Sequence, residues 1–341
     1  MSDPILSIRD LSVEFTTEDG IVHAVEGVSY DVGAGEVLGV VGESGSGKSV
    51  TVMTVLGLIP QPPGKVTNGE ILYRGRDLLK LSSKELREVR GSEVAMIFQD
   101  PMTSLNPVLT VGEQIAEAIE THHPEMRSEA IEARTIELLD IVGVPFPEAR
   151  FRQYPHEFSG GMRQRAMIAM AIANEPAVLV ADEPTTALDV TIQAQIIEVL
   201  KKAEEETHAA IILITHDLGL IAELADRVVV MYAGRVVEIG DVETIFTAPR
   251  NPYTIGLMNS IPRVTGTDDL LVPIPGSPPS MISVPPGCAF HPRCFLSRGR
   301  DRCRAEVPEL EDVSAGHLSR CHFVSELAGY DPGLAAAASH A

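Results

Sequence analysis

The sequence predicts an α/β chain organised around a parallel sheet, and three stretches carry that expectation. Residues 37–41 form a short apolar run that passes through a glycine-rich turn into an apolar helical pattern. Residues 177–183, AVLVADE, and 211–214, IILI, are apolar runs without the alternation of a half-solvated strand. Strands buried on both faces read this way. At 341 residues the chain exceeds one ordinary core and suggests roughly two domains.

The first stretch carries chemistry. Gly42–Ser49 reads GESGSGKS and satisfies G-x-x-x-x-G-K-S/T between a strand and a helix. Gly45 and Gly47 free the backbone so that the N–H groups of Ser44, Gly45, Ser46, Gly47 and Lys48 can wrap a β-phosphate. The helix that follows, through Val50, adds its positive end. Lys48 would bridge β- and γ-phosphates, and the Ser49 hydroxyl would bind Mg²⁺.

The second stretch ends in two carboxylates. Asp182 at the C-terminal edge of its strand is placed to hold Mg²⁺, and Glu183 is the natural general base for an attacking water. The third ends in Thr215-His216-Asp217. Ligands of parallel α/β sheets bind at strand C-termini, which makes His216 a candidate γ-phosphate contact and orienter of that water. Gln99 follows the apolar run 94–98, and its amide could reach Mg²⁺ or the water.

Residues 158–165, FSGGMRQR, open a helix ahead of AVLVADE. Ser159 reads as an N-cap, and Ser159, Gly160 and Gly161 together offer an anion site at a helix start. With the motifs above, this stretch resembles the signature of the ATP-binding cassette (ABC) ATPases, with Phe158 and Met162 where that family has Leu and Gln. The resemblance covers almost the whole chain. It implies a P-loop cassette at 1–250, with a RecA-like mixed-sheet core, an antiparallel β subdomain and a helical subdomain inserted at about 100–170. It also implies ATP and Mg²⁺ as cofactors, the latter held by Ser49, Gln99 and Asp182, with catalysis by Glu183, His216 and Gln99. Ala187-Leu188-Asp189 is similar to the family's D-loop. Phe15 matches its adenine-stacking aromatic, and a half-buried strand residue is the alternative. In the family two cassettes meet head to tail, so Ser159 and Gly161 would serve the nucleotide on the partner's phosphate loop.

Between Asp100 and Phe158 apolar residues recur at three-to-four spacing, the pattern of amphipathic helices. Leu105, Pro107 and Leu109 belong either to a docking patch for a membrane subunit or to local core. The net charge of −21 argues against a phosphate-backbone partner, so no nucleic acid is expected. No apolar run approaches the roughly 20 residues of a membrane span, and the N-terminus lacks a secretory pattern.

Beyond about residue 245 the composition changes: residues 247–264 and 271–288 are rich in Pro, Gly and Ser, which suggests an extended, docked segment rather than another sheet. All four cysteines lie beyond residue 245, spaced C-x5-C-x8-C-x17-C: Cys288, Cys294, Cys303 and Cys321. A reducing compartment disfavours disulfides. Four neighbouring thiolates fit a tetrahedral Zn²⁺ or a 4Fe–4S cluster, with His291 and His322 as further zinc ligands and free thiols as the third reading. This 251–341 extension resembles that of the D-type ATPases of oligopeptide and dipeptide importers, and the resemblance implies the 4Fe–4S cluster first and Zn²⁺ second. The implied partners are a paralogous cassette subunit, two transmembrane permeases and an extracytoplasmic peptide-binding protein, with the chain peripheral on the cytoplasmic membrane face. Nickel, glutathione or another small solute is the alternative cargo. A non-transport ATPase on nucleic acid or ribosomes is the reading from another class.

Overall fold

A computed structural model of the chain describes residues 3–186, 189–260 and 273–329. The Ala187-Leu188 part of the D-loop-like motif lies outside them, as does 261–272 of the proline-rich stretch. Twelve strands run in chain order as β1 Leu6–Thr17, β2 Gly20–Val32, β3 Val37–Val41, β4 Gly64–Tyr73, β5 Arg76–Asp77, β6 Val94–Ile97, β7 Val178–Asp182, β8 Ala210–Ile214, β9 Arg227–Tyr232, β10 Arg235–Asp241, β11 Glu311–Ser314 and β12 His317–Ser319. The fold divides into two compact units. One gathers Met1–Leu6, Val32–Val37 and Tyr73–Ile214; the other gathers Ser7–Asp31, Leu38–Leu72 and Thr215–Ala341.

In the first unit β6, β7 and β8 are parallel, with Val178 opposite both Val94 and Ala210. Val178, Leu179, Val180 and Ala181 are fully buried, which is why this strand carries no polar alternation. The helices expected between Asp100 and Phe158 are present, the longest being Val111–His122 and Ser128–Ile141. Val111–His122 begins with a capping box. The Thr110 hydroxyl accepts from the Glu113 N–H at 3.2 Å, and the Glu113 carboxylate accepts from the Thr110 N–H at 2.7 Å. Val111, Ile115 and Ile119 then share one buried face at i, i+4, i+8. Leu105 is buried, whereas Pro107 and Leu109 are not part of that core.

In the second unit β2, β1 and β4 form one sheet, and β11-β12-β10-β9-β3 are consecutive neighbours in another. β3 and β9 are parallel; β9, β10, β12 and β11 pair antiparallel in turn. Mixed parallel and antiparallel strands are thus present.

The Pro-, Gly- and Ser-rich stretch departs from the sequence expectation at its start. Pro252–Asn259 is an α-helix and not extended chain. Asn251 caps it by accepting from the Tyr253 N–H at 3.0 Å, and Pro252 occupies its first turn, where a missing N–H costs nothing. Beyond that stretch, β12 pairs with β10 through Glu238↔Ser319 and Ile239↔Leu318 and so adds to a sheet. It groups with the phosphate loop's own unit, and so contact does not divide the chain at residue 250. Specific bonds make the attachment: the Asn251 amide donates to the carbonyls of Val237 (3.0 Å) and Arg320 (3.1 Å). Buried His317 and Glu238 pair at 2.8 Å.

Candidate active site

The phosphate loop leaves β3 at Val41 and enters the helix Lys48–Val55. Its backbone needs glycine at two crowded points. A Cβ on Gly42 would stand 2.2 Å from the Met231 carbonyl oxygen, and one on Gly47 would stand 2.5 Å from that of Ala24. Both have positive φ, 151° and 100°. Gly47 is the N-cap, in left-handed backbone, and its side-chain-free position makes no cap hydrogen bond to the helix start. The buried Lys48 ammonium donates to the carbonyls of Gly42 (2.8 Å) and Glu43 (3.0 Å), which keeps it over the loop. Ser46 is buried as well; Ser44 and Gly45 are exposed, and Ser49 and Val50 are half-buried.

Glu43 stands in this motif, yet its carboxylate is engaged elsewhere. It accepts two hydrogen bonds from the Arg293 guanidinium, at 2.6 and 2.9 Å, and the Glu43 N–H donates to the Tyr253 hydroxyl at 2.7 Å. Glu43 therefore offers the loop its backbone. Phe15 is half-buried on β1, with its ring 3.0 Å from the position a Cβ on Gly64 would take.

The first unit holds the two carboxylates at the end of β7. Asp182 ends β7, 5% exposed and in register with Ile214. Glu183 turns out of the strand with φ 48°, while its N–H still donates to the Ile214 carbonyl at 2.8 Å. A left-handed glutamate is uncommon and is held where surroundings over-determine it. Here the Gln99 amide donates to Glu183 Oε2 at 2.9 Å and the Thr186 hydroxyl donates to the same oxygen at 2.8 Å. The structure so unites Gln99 and Glu183, which the sequence separates by 84 residues. Thr186 was missed in the sequence reading; its position three residues after Glu183, inside EPTT, was the available signal.

Ser159 N-caps the helix Gly160–Ala171, accepting from the Met162 N–H at 3.3 Å, with Phe158 buried behind it. A Cβ on Gly161 would lie 2.9 Å from Ile192 Cγ2, so the helix start packs closely against Val190–Thr207. Asp189 caps that second helix through the Ile192 N–H at 3.0 Å. In the second unit His216 is exposed, one residue before Asp217, which caps the helix Leu218–Leu224.

The four cysteines are free thiols bordering one cavity, with Phe290, His291 and His322 also in its lining. Burial pushes Cys288 above the ordinary thiol range, Cys294 to about 11 and Cys321 to about 12, and neighbouring cysteines push each the same way. Among the described residues, no group of three or more His, Cys, Asp or Glu is arranged to hold a metal ion. The ring nitrogens of His291 and His322 face the carbonyls of Cys288 and Glu306, both at 2.9 Å. Among the described residues no helix is long and apolar enough to cross a membrane.

Comparison with known proteins identifies the family. The ABC transporter family model matches residues 25–186, spanning the phosphate loop, Gln99, Ser159–Gly161 and the Asp182–Glu183 pair. The model of the oligopeptide/dipeptide transporter C-terminal region matches residues 237–303. A dipeptide transport ATP-binding protein of Bacillus subtilis is 53% identical over 86% of this chain and 87% of its own length. One of Escherichia coli is 51% identical over 95% of this chain and 98% of its own. A dimeric ATP-binding cassette, solved after hydrolysis with ADP and inorganic phosphate bound, has a TM-score of 0.62 at 27% identity, covering 70% of this chain and 98% of that one. The chain belongs to the ABC transporter ATPases, in the branch that carries the oligopeptide/dipeptide transporter C-terminal region.

Proposed function

We propose that this chain is the ATP-hydrolysing subunit of an importer of dipeptides or oligopeptides. Gly42–Ser49 binds the phosphates, and Lys48 neutralises charge on the β- and γ-groups. Ser49, Asp182 and Gln99 would hold Mg²⁺, which would supply positive charge against that developing on the transferred phosphoryl group. The loop fits phosphates: a helix start without a side-chain cap stands behind backbone where Cβ atoms at Gly42 or Gly47 would collide with carbonyl oxygens. Glu183 takes a proton from the attacking water. The observation that carries this assignment is the pair of hydrogen bonds from Gln99 and Thr186 to one oxygen of Glu183, which orients the carboxylate at the end of β7. Positioning and electrostatics supply most of the acceleration. Phe15 stacks on adenine, His216 contacts the γ-phosphate, and Ser159 and Gly161, with Gly160 and Asp189 beside them, serve the nucleotide of a paralogous cassette.

The chain works at the cytoplasmic membrane face through two permease subunits, fed by an extracytoplasmic peptide-binding protein. Peptide cargo is favoured over nickel or glutathione by the relatives, which are dipeptide and oligopeptide transport proteins. For the extension, we infer a 4Fe–4S cluster on Cys288, Cys294, Cys303 and Cys321, with Zn²⁺ as the alternative; the four cysteines border one cavity, and among the described residues no three ligands are arranged around one ion of either kind. The cluster would staple the segment, and no step of hydrolysis runs through it.

Co-expression with the paralogous cassette subunit and the two permeases, followed by reconstitution into proteoliposomes, tests the assignment. Uptake of labelled dipeptide, dependent on ATP and on the binding protein, is the expected result. Salt-sensitive binding to ribosomes or nucleic acid, with no uptake, would overturn it.

A further inference from the structure

We propose that Arg293 is a positioning residue of the phosphate loop, so that the C-terminal extension sets the chain's affinity for ATP by holding Glu43. The inference rests on the ATP-binding reading of Gly42–Ser49 and goes beyond it. Arg293 lies one residue before Cys294 and 250 residues from Glu43, yet its fork grips both carboxylate oxygens, Nη1 to Oε2 at 2.6 Å and Nη2 to Oε1 at 2.9 Å. The Arg293 side chain is 6% exposed and that of Glu43 25%, so the pair is not a solvated surface contact.

The rest of the guanidinium is fixed too. Nε donates to the Pro275 carbonyl at 2.9 Å and Nη1 to the Tyr232 hydroxyl at 3.3 Å, and the group stands 5.9 Å from the ring centroids of Tyr232 and Phe290. Tyr232, Tyr253 and Phe290 pack on one another with centroids 4.5 to 5.3 Å apart. Tyr253 of this cluster accepts the Glu43 N–H. Side chain and backbone of the loop's second residue are thus both held from beyond residue 250. Glu43 is the hinge between Gly42, jammed against Met231, and the exposed Ser44-Gly45 tip. A fixed hinge fixes the directions of the N–H groups that follow, and small misplacements of such groups weaken binding steeply. The extension touches the same region again where the His23 N–H donates to the Met281 carbonyl at 3.1 Å.

MgATP titrated calorimetrically into the purified full chain and its variants decides the matter. Arg293→Met and Glu43→Gln should each raise Kd by between about 5- and 50-fold, and the double variant should be no worse than the weaker single. Arg293→Lys keeps charge but loses the fork and should fall between wild type and Arg293→Met. Arg300→Gln breaks the extension's own Arg300–Glu326 pair, away from the loop, and should leave Kd unchanged. Wild-type affinity in Glu43→Gln, additive losses in the double variant, or equal weakening by Arg300→Gln would each overturn the proposal. Glu43→Gln keeps the test open should Arg293→Met fail to fold. A wild-type chain that does not bind MgATP would instead remove the ATP-binding reading on which the proposal stands.

Discussion

The glycine loop at Gly42–Ser49 and the cysteine segment at 287–303 are both irregular backbone, and they are held in opposite ways. The loop carries devices of its own, glycines at positive φ and a lysine folded back on the loop's own carbonyls, even though the backbone that crowds Gly42 and Gly47 and the side chains that hold Glu43 come from far along the chain. The cysteine segment is tied across its own length, with the Cys288 N–H donating to the Cys303 carbonyl at 2.9 Å, and is anchored by side chains reaching far-off residues, Arg293 to Glu43 above all. The first kind of order is written in consecutive residues. The second exists only once the chain has folded.

The contrast can be pressed by substitution. Lys48→Ala deletes charge-assisted phosphate contacts of about 1.5–3 kcal/mol each, so two of them amount to a loss of affinity of roughly a hundredfold or more, read by calorimetry with MgATP. Within the loop, Gly42→Ala must displace the Met231 backbone, whereas Gly45→Ala meets nothing within 4 Å and carries only the strain of φ +79°. We expect Gly42→Ala to lower affinity by roughly tenfold or more and Gly45→Ala by only a fewfold, the left-handed conformation costing about 1–2 kcal/mol. Equal effects would show that crowding does not shape the loop.

In the cysteine segment, Cys321→Ser should abolish the roughly four iron per chain and matching acid-labile sulfide expected after anaerobic purification. Iron retained in full, or stoichiometric zinc without iron in the unmodified chain, would contradict the cluster. The smallest effect is one of pH on the metal-free chain. Folding raises Cys294 to about 11 and Cys321 to about 12 from an unfolded value of 9.0. The folded state therefore holds these protons more tightly. The stability this brings is complete below about pH 9 and drains away as pH rises toward 11 and 12. Denaturant melts from pH 8 to 11 should show the decline, and it should shrink in the Cys294→Ser, Cys321→Ser double variant.

Legibility follows the same division. The strand–loop–helix at Gly42–Ser49, the strand end at Asp182 and the Ser159 cap could be read because strand ends, glycine spacing and helix starts are local patterns. The convergence of Gln99 and Thr186 on Glu183 could not, since pairing of β6 with β7 is what brings residue 99 beside 183. Helix Pro252–Asn259 was misread as extended chain although Asn251-Pro252 is a cap followed by a first-turn proline; the prolines further on dominated the composition. Arg293 left no trace, because one arginine among several in a tail carries no period or motif that points to Glu43.

The central claim is that Glu183, oriented by Gln99 and Thr186, activates water for ATP hydrolysis. Its most direct test is phosphate release by the Glu183→Gln variant, beside MgATP affinity and assembly state. Turnover should fall by about 10²–10⁴-fold with ATP binding unimpaired, and ATP should stabilise a cassette dimer that no longer comes apart. Hydrolysis at the wild-type rate would contradict it.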